Sequence, residues 1–261
     1  ARTRPEEDVY RLAVELGQRL VQSGYLVITG AGEGVMGAAH LGAGRRSAVG
    51  LNILLPFEQL ANPVIAGDPK LINFRYFFTR KLFFVKESDA IVLLPGGFGT
   101  LDEGFEVLTL LQTGKCPPLP VVMLDDPASG YWENWNRFVR QDLLARGLIS
   151  EEDLSLFKIA HDVEDVCQEI GRFYRRYHSS RFVDRRNLLM LRLRTPIPSG
   201  LLEKLNRDFS DICRDGQIEE SKAHPDEKDE PETLDLVRMK VPFDQFHYGR
   251  LRQLIDAIND F

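Results

Sequence analysis

The chain has 261 residues, enough for one large α/β domain with a small appendage. Its hydrophobic content of 43% is ordinary for a globular protein, and its net charge of −6 gives no overall attraction to nucleic acid. We therefore expect no nucleic-acid partner.

Cysteine and histidine usage excludes two further classes of protein. Cys116, Cys167 and Cys213 have neither the spacing of a disulfide framework nor that of a zinc site, which predicts a reducing, cytoplasmic environment. The five histidines show no metal spacing, so we expect no metal. The sequence has no run of 18 apolar residues, and we expect neither a signal peptide nor a membrane partner.

The first 178 residues alternate between strand and helix patterns. Apolar residues recur with helical spacing over 6–23, and Tyr25–Thr29 is typical of a short buried strand. The elements predicted next are a glycine loop (30–37), a helix of small residues, a strand (48–55) ended by Pro56, an extended piece followed by a helix (71–87), and a strand (90–94) followed by a helix (100–113). The last are a strand (120–124), a helix (132–146), a short strand (156–160) and a helix (163–177).

This alternation predicts an α/β fold, a doubly wound, Rossmann-like parallel sheet covered on both faces. Such a sheet normally begins with a strand, whereas the first element here is a helix. We therefore expect the first strand of the sheet to precede Ala1.

Residues 179–261 have a different pattern and predict a small α+β extension of unknown role. A strand, a helix capped by Ser199, a flexible polar loop, a second strand and a second helix are predicted over 187–193, 199–213, 214–232, 234–241 and 246–261.

The most informative stretch runs from Pro95 to Glu103, directly after an apolar strand. Gly96, Gly97 and Gly99 remove side chains from the turn, and a helix is predicted to start at Thr100. The free N–H groups of a helix start and the positive end of its dipole favour a phosphate.

An earlier glycine loop also lies between a strand and a helix. Gly30 precedes a literal G-x-G-x-x-G match formed by Gly32, Gly34 and Gly37, but no acidic residue ends the next strand. This loop alone leaves open phosphate binding or tight helix–sheet packing, and it disfavours a dinucleotide dehydrogenase. Two such turns at the carboxyl edge of one sheet together predict a nucleotide or sugar-phosphate site.

Four groups of side chains have more than one interpretation. Thr100 and Glu103 have the spacing of a capping box, which requires no catalytic role. Arg80 and Lys81 lie among phenylalanines, where a guanidinium can hold a phosphate or assist a leaving base. We expect Phe74, Phe77, Phe78 and Phe98 to be core residues rather than a pocket for an apolar substituent, and the arginine cluster Arg172, Arg175, Arg176, Arg181, Arg185 and Arg186 to be solvated.

Together these motifs resemble the Lonely Guy (LOG) family of cytokinin riboside 5′-monophosphate phosphoribohydrolases, many once labelled lysine decarboxylases. The resemblance covers about residues 1–175. It rests on Arg80-Lys81, Ser88-Asp89-Ala90 and the Pro95–Glu103 stretch, with support from Gly30–Gly37, Leu55–Gln59 and Gln112–Lys115.

The resemblance implies hydrolysis of the N-glycosidic bond of a nucleoside 5′-monophosphate, such as AMP or a cytokinin riboside monophosphate. It implies Arg80 and Glu103 as catalytic residues, no cofactor and a homodimer. Carried over with the two glycine loops, the substrate-binding positions are Gly30, Gly32, Gly34, Gly37, Lys81, Gly96, Gly97, Gly99 and Thr100.

Two alternatives remain open at this point. One is a non-catalytic or regulatory nucleotide-binding protein. The other is a pyridoxal-phosphate decarboxylase, which needs a Schiff-base lysine, and Lys81 is the plausible candidate.

Overall fold

The structure is a computed structural model that describes residues 3–54 and 60–261. The predicted strand end at Pro56 and the Leu55–Gln59 part of the resemblance lie outside the described residues. Contacts divide the chain into two compact units. Unit 1 is Ala1–Val107, Val121–Asp142 and Lys158–Gln168, and unit 2 is Leu108–Pro120, Leu143–Phe157 and Glu169–Phe261. The units are defined by contacts rather than by independent folding, so a domain boundary at residue 178 stays a prediction.

Unit 1 contains alternating helices and strands, as the sequence predicts. They are α1 (Asp8–Gln22), β1 (Val27–Thr29), α2 (Val35–Ser47), β2 (Ala48–Ile53), β3 (Leu71–Phe74), α3 (Phe77–Lys86), β4 (Ile91–Leu93), α4 (Phe98–Gln112), β5 (Val121–Leu124), α5 (Tyr131–Phe138), β6 (Lys158–Ala160) and α6 (Val163–Phe173), with the last turns of α4 and α6 falling in unit 2.

The strands of unit 1 form two three-stranded parallel sheets, in the orders β1-β2-β3 and β4-β5-β6. The α/β class with parallel sheets is thus confirmed. One glycine loop follows β1 and the other follows β4, and in open α/β sheets ligands bind beyond the carboxyl ends of the strands.

Small residues let α1 and α2 pack closely. A Cβ added to Gly42 would lie 1.9 Å from the Val14 carbonyl oxygen, and one added to Gly17 would lie 2.2 Å from that of Ala39. The small side chains of α2 are therefore a packing requirement that fixes the helix behind the first glycine loop.

Three helix boundaries of the sequence analysis are wrong. α4 begins at Phe98 rather than Thr100, and the predicted helix over 132–146 is α5 followed by a π-helix at Val139–Leu144. The helix predicted to end at Tyr177 ends at Phe173, because Tyr177 already pairs as the first residue of a strand.

Unit 2 is built around a four-stranded antiparallel sheet with the order β7-β8-β10-β9. Its strands are β7 (Tyr177–Val183), β8 (Leu188–Leu193), β9 (Glu219–Ser221) and β10 (Val237–Val241), and its helices are α7 (Leu201–Asp208) and α8 (Tyr248–Asp260). Leu191, Met239 and Leu254 are among the fully buried side chains of its core.

The α+β character of this extension is confirmed, but several predictions within it are wrong. β7 was not predicted. The predicted helix over 199–213 is the shorter α7, whose N-cap is Gly200 in the left-handed region rather than Ser199. The segment 214–232, predicted as a flexible loop, contains β9 and two 3₁₀ turns.

A buried ion cluster orders this polar segment. Glu227 is fully buried, and its carboxylate accepts from Arg192 Nε at 2.7 Å and from the His224 N–H at 2.8 Å. Arg238 Nε lies 3.6 Å from the same carboxylate. Burial alone would raise the pKa of Glu227, but the His224 N–H and the Arg192 guanidinium outweigh it and lower the pKa. Glu227 thus anchors the 3₁₀ turn to β8 and β10.

Within the described residues, no helix is long and apolar enough to cross a membrane.

We expect Glu227→Gln to lower the free energy of unfolding by about 3 kcal/mol at pH 7, because it leaves buried arginines without their carboxylate. Since the pKa of Glu227 is lowered on folding, its contribution is complete above the unfolded pKa and is lost as the pH falls through the folded value. Urea unfolding at pH 7 and pH 4 measures both effects. The exposed Glu232→Gln is the control, and equal stability of the two variants at pH 7 would contradict the prediction.

Candidate functional site

The first glycine loop joins β1 to α2. Gly30 and Gly32 lie in the loop, Gly34 is the N-cap of α2 with φ +68°, and Gly37 lies in the first turn of the helix. Ala31 has φ +60°, a left-handed conformation that costs a residue with a Cβ about 1 kcal/mol or more. The loop therefore holds a strained backbone at the start of a helix.

Buried polar side chains brace this loop. Asn62 Nδ2 donates to the carbonyl oxygens of Ala31 at 3.0 Å and Gly32 at 3.2 Å, and it lies 3.1 Å from His40 Nδ1. His40 Nε2 lies 3.1 Å from the Val49 carbonyl oxygen. A carbonyl can only accept, so Nε2 carries the proton and Nδ1 accepts from Asn62. Burial lowers the pKa of His40, which keeps the ring neutral for this role.

The second glycine turn joins β4 to α4. A Cβ added to Gly96 would lie 2.2 Å from Thr100 Oγ1, so this position requires glycine. Tyr131 Oη donates to the Gly96 carbonyl oxygen at 2.6 Å. A Cβ at Gly97 or Gly99 would meet nothing within 4 Å, so that side of the turn is open to a ligand.

The predicted capping box at Thr100 is wrong. The N–H of Leu101 donates to the Gly97 carbonyl oxygen, which makes Gly97 the start of the helical ladder and places Thr100 inside the first turn. Glu103 is therefore one turn into α4, and its carboxylate faces Arg80 instead of a cap.

Arg80 of α3 lies beside both glycine segments. Its Nη2 is 3.4 Å from Glu103 Oε1, and its Nη1 lies 3.7 Å from the position that a Cβ on Gly30 would occupy. The guanidinium also lies 5.2 Å from the ring centre of Phe77 and 5.7 Å from that of Phe84. These rings hold the charged group in place between the turns.

The Glu103 carboxylate is poised to accept a proton. Burial raises its pKa above the usual 4.5, while Lys81 and Arg80 oppose that rise without cancelling it. Among the described residues, its one polar contact within 4 Å is the long contact with Arg80. A half-buried carboxylate with unused acceptor capacity suits a general base.

Lys81 has a different environment. Its ammonium donates to Asp102 Oδ2 at 2.7 Å and to Glu106 Oε2 at 2.5 Å. Burial opposes the charge, but these two carboxylates outweigh it and raise the pKa of Lys81. A Schiff-base lysine needs the opposite, a lowered pKa and a free amine. This environment disfavours the decarboxylase alternative, and the role of Lys81 as a substrate ligand stays a prediction.

The structure thus brings together some of the predicted site residues. Arg80 contacts Glu103 and approaches Gly30, and Gly96 packs on Thr100. Gly32, Gly34 and Gly37 belong to the first loop, and the described contacts do not join them directly to the second.

Sequence reasoning missed the residues that support the loops. Asn62 and His40 lie far apart in the sequence, and each resembles an ordinary loop or core residue. Tyr131 is placed by Asp125, whose carboxylate accepts from the Tyr131 N–H at 2.8 Å. The sequence signal that could have indicated this support is the acidic Asp125, which directly follows the predicted strand over 120–124.

A family model described as "Possible lysine decarboxylase" matches residues 33–170, more than half of the chain. The chain belongs to this family, the LOG family.

Curated members of the LOG family from rice and Arabidopsis match the same part of the chain. A probable cytokinin riboside 5′-monophosphate phosphoribohydrolase of Oryza sativa subsp. japonica, LOGL5, is 36% identical over 166 residues, covering 62% of this chain and 64% of its own. The rice enzyme LOG is 29% identical over 63% of this chain and 67% of its own. LOG1 of Arabidopsis thaliana is 29% identical over 63% of this chain and 76% of its own.

The chain spans about two thirds of the length of the first two of these relatives. Among solved structures, the X-ray structure of TM1055 aligns with 63% of this chain and 89% of its own, at 24% identity and a TM-score of 0.43.

Alanine substitutions at two glycines of the second turn should change the free energy of unfolding in opposite directions. We expect Gly96→Ala to lower the free energy of unfolding by about 2 kcal/mol, because the added methyl group overlaps Thr100. Gly99→Ala adds the same group in open space within α4, where alanine is favoured over glycine by about 0.5–1 kcal/mol. Thermal or urea unfolding of both variants measures the difference, and an equally stable Gly96→Ala would contradict this packing.

Proposed function

We propose that this protein hydrolyses the N-glycosidic bond of a nucleoside 5′-monophosphate, releasing the free base and ribose 5-phosphate. We propose cytokinin riboside monophosphates and AMP as the substrates. The observation that carries the proposal is the Arg80–Glu103 pair, in which a carboxylate of raised pKa lies one turn beyond an open glycine turn. The names of the matched relatives support the same reaction.

The two glycine loops would bind the 5′-phosphate. Helix starts present free N–H groups and a positive dipole end, and the turns at Gly97 and Gly99 leave room for close approach. Holding the remote phosphate converts binding energy into orientation of the scissile bond. No metal or organic cofactor is needed for this step.

Glu103 would act at the ribose. Cleavage of the bond between base and sugar develops positive, oxocarbenium-like charge on the ribose, which a nearby carboxylate stabilises. The same carboxylate can take a proton from the attacking water, and the hydroxyl group of that water forms the new bond to C1′. Arg80 would stabilise the negative charge that develops on the departing base.

We expect Glu103→Gln to bind AMP but to lose about 10²–10³-fold in kcat, the range measured when a catalytic acid–base or charge-stabilising group is removed. Asp102→Asn, one residue away and paired with Lys81, is the matched control and should stay within tenfold of wild type. The assay follows free base released from AMP and from cytokinin riboside monophosphates.

Three outcomes would contradict this assignment. Full turnover by Glu103→Gln would remove the catalytic role of Glu103. A wild-type protein that binds these nucleotides and releases no base would be the non-catalytic binding protein. Glu103 must be deprotonated to act as the general base, and its pKa is raised. The acid limb of the pH profile of kcat/KM should therefore lie above pH 4.5. Full activity down to that pH would count against Glu103.

The aromatic residues of α3 and α4 support a proposed homodimer. Phe77, Phe78 and Phe98 are 52%, 69% and 93% exposed, so their predicted place in the core is wrong. Tyr76 and Leu82 of the same segment are also exposed, and the Tyr76 ring stacks on the Phe78 ring with 5.7 Å between ring centres. Apolar surfaces of this kind mark protein contacts, and a second copy of the same chain fits the proposed dimeric enzyme.

We expect Phe78→Asp to shift the protein from dimer to monomer at micromolar concentration, because it places a charge among these exposed apolar side chains. Leu148→Asp changes a similarly exposed residue outside the surface and should leave the dimer intact. Analytical ultracentrifugation measures the mass, and a dimeric Phe78→Asp or a monomeric wild type would refute the proposed interface.

A further inference from the structure

Unit 2 contains a polar cavity of about 390 Å³ that the proposed reaction does not use. Its lining residues are Thr113, Gly114, Lys115, Arg186, Gln245 and Tyr248. They include two cations and no carboxylate. Pockets for small molecules commonly have volumes of about 300–1,000 Å³, so the space suits a small metabolite.

The turn that carries Arg186 is strained. The N–H of Asn187 donates to the Asp184 carbonyl oxygen at 2.9 Å, and the two central residues, Arg185 and Arg186, have φ +53° and +72°. These values are typical of a type I′ hairpin turn, whose central positions strongly favour Asn-Gly. Two arginines therefore occupy positions where neither is the stable choice.

The strain concentrates at this cavity. Five non-glycine residues with positive φ are found in the described chain, and four of them are Asp184, Arg185, Arg186 and Gln245. The fifth, Ala31, lies in the first glycine loop. Gln245 Nε2 donates to the Arg186 carbonyl oxygen at 2.7 Å, which holds the turn against the cavity wall. Residues kept in such conformations cluster at functional sites.

Side chains hold the Arg186 guanidinium toward the cavity. It lies 4.5 Å from the ring centre of Phe182, and it is close enough to the Tyr248 hydroxyl group to oppose the rise that burial causes in the pKa of Tyr248. On the other wall, Gly114 has φ +63°, and a Cβ there would lie 1.9 Å from the Tyr248 ring. This close approach places the following residue, Lys115, at the cavity.

These two cations differ from other basic residues of the unit. Arg172 pairs with Asp260, and Arg181 pairs with Asp229 and Glu230. Lys115 and Arg186 form no ion pair with any residue in the described part of the chain. The carboxylate of Asp244, near Tyr248, accepts from the Phe246 and His247 N–H groups and lies 2.5 Å from His247 Nδ1.

We propose that this cavity binds a small phosphate monoester, such as a sugar phosphate. Arg186 offers a planar donor fork for a phosphate, Lys115 adds a second positive charge, and the polar walls suit the hydroxyl groups of a sugar. The cavity is larger than a phosphate ion needs, which favours the monoester over the free ion. The binding is non-covalent and does not depend on the function proposed for unit 1.

The test uses Lys115 as its own reporter. Amine labelling of the whole protein by acetylation with an N-hydroxysuccinimide ester, followed by peptide mass spectrometry, gives the modification rate of each lysine. We expect 10 mM glucose 6-phosphate to slow the labelling of Lys115 at least fivefold relative to chloride at equal ionic strength. Inorganic phosphate should slow it less. The exposed Lys222, outside the cavity, is the internal control and should not change.

Arg186→Gly separates binding from folding. Glycine adopts φ +72° without a steric penalty, so the variant should keep its Tm or gain about 2–4 °C while losing the protection of Lys115. Protection that persists in this variant, or that chloride provides equally, would overturn the site. A lower Tm would contradict the backbone strain at Arg186. Protection by inorganic phosphate without protection by glucose 6-phosphate would contradict the assignment of a phosphate monoester as the ligand.

Discussion

The position of the Arg80 guanidinium between the two glycine segments is the constraint on which the candidate site depends. It lies 3.4 Å from Glu103 and approaches Gly30, and the aromatic rings of α3 hold it there. A half-buried carboxylate without a cation would be protonated or displaced toward water. The single long contact opposes part of the rise that burial causes in the pKa of Glu103 and leaves the carboxylate partly exposed. This balance requires α3 and α4 to be fixed relative to each other.

The neighbouring carboxylates of α4 provide that fixation. Asp102 and Glu106 both bind the Lys81 ammonium, which ties α4 to α3 one residue beyond Arg80. Adjacent basic residues on one helix thus differ in their contacts: Lys81 pairs with two carboxylates, whereas Arg80 makes one long contact with Glu103. The decarboxylase description of the family would require the reverse arrangement, with Lys81 as the free amine.

The features of the fold that the sequence predicts correctly are those that local sequence patterns determine. The alternation of strands and helices in unit 1 and the glycine turns after β1 and β4 depend on periodicity and backbone freedom, which neighbouring residues encode. The start of α4 could not be placed, because Phe98 and Gly99 carry no helix signal. The order in segment 214–232 was hidden because the partner of Glu227, Arg192, lies 35 residues away. Asn62 and His40 were missed for the same reason.

The arginines of the second unit show how this limit bears on function. A run of like charges in a sequence is usually solvated, and spacing alone cannot tell one arginine from another. Arg172 and Arg181 find carboxylates 88 and 48 residues away, which explains their presence as packing. Arg186 finds none in the described chain and also occupies a backbone conformation that glycine would adopt without strain. Arg186 is exposed, so solvation accounts for its unpaired charge, as expected for this cluster, but solvation does not account for the strained backbone, which the proposed binding of a phosphate monoester would explain.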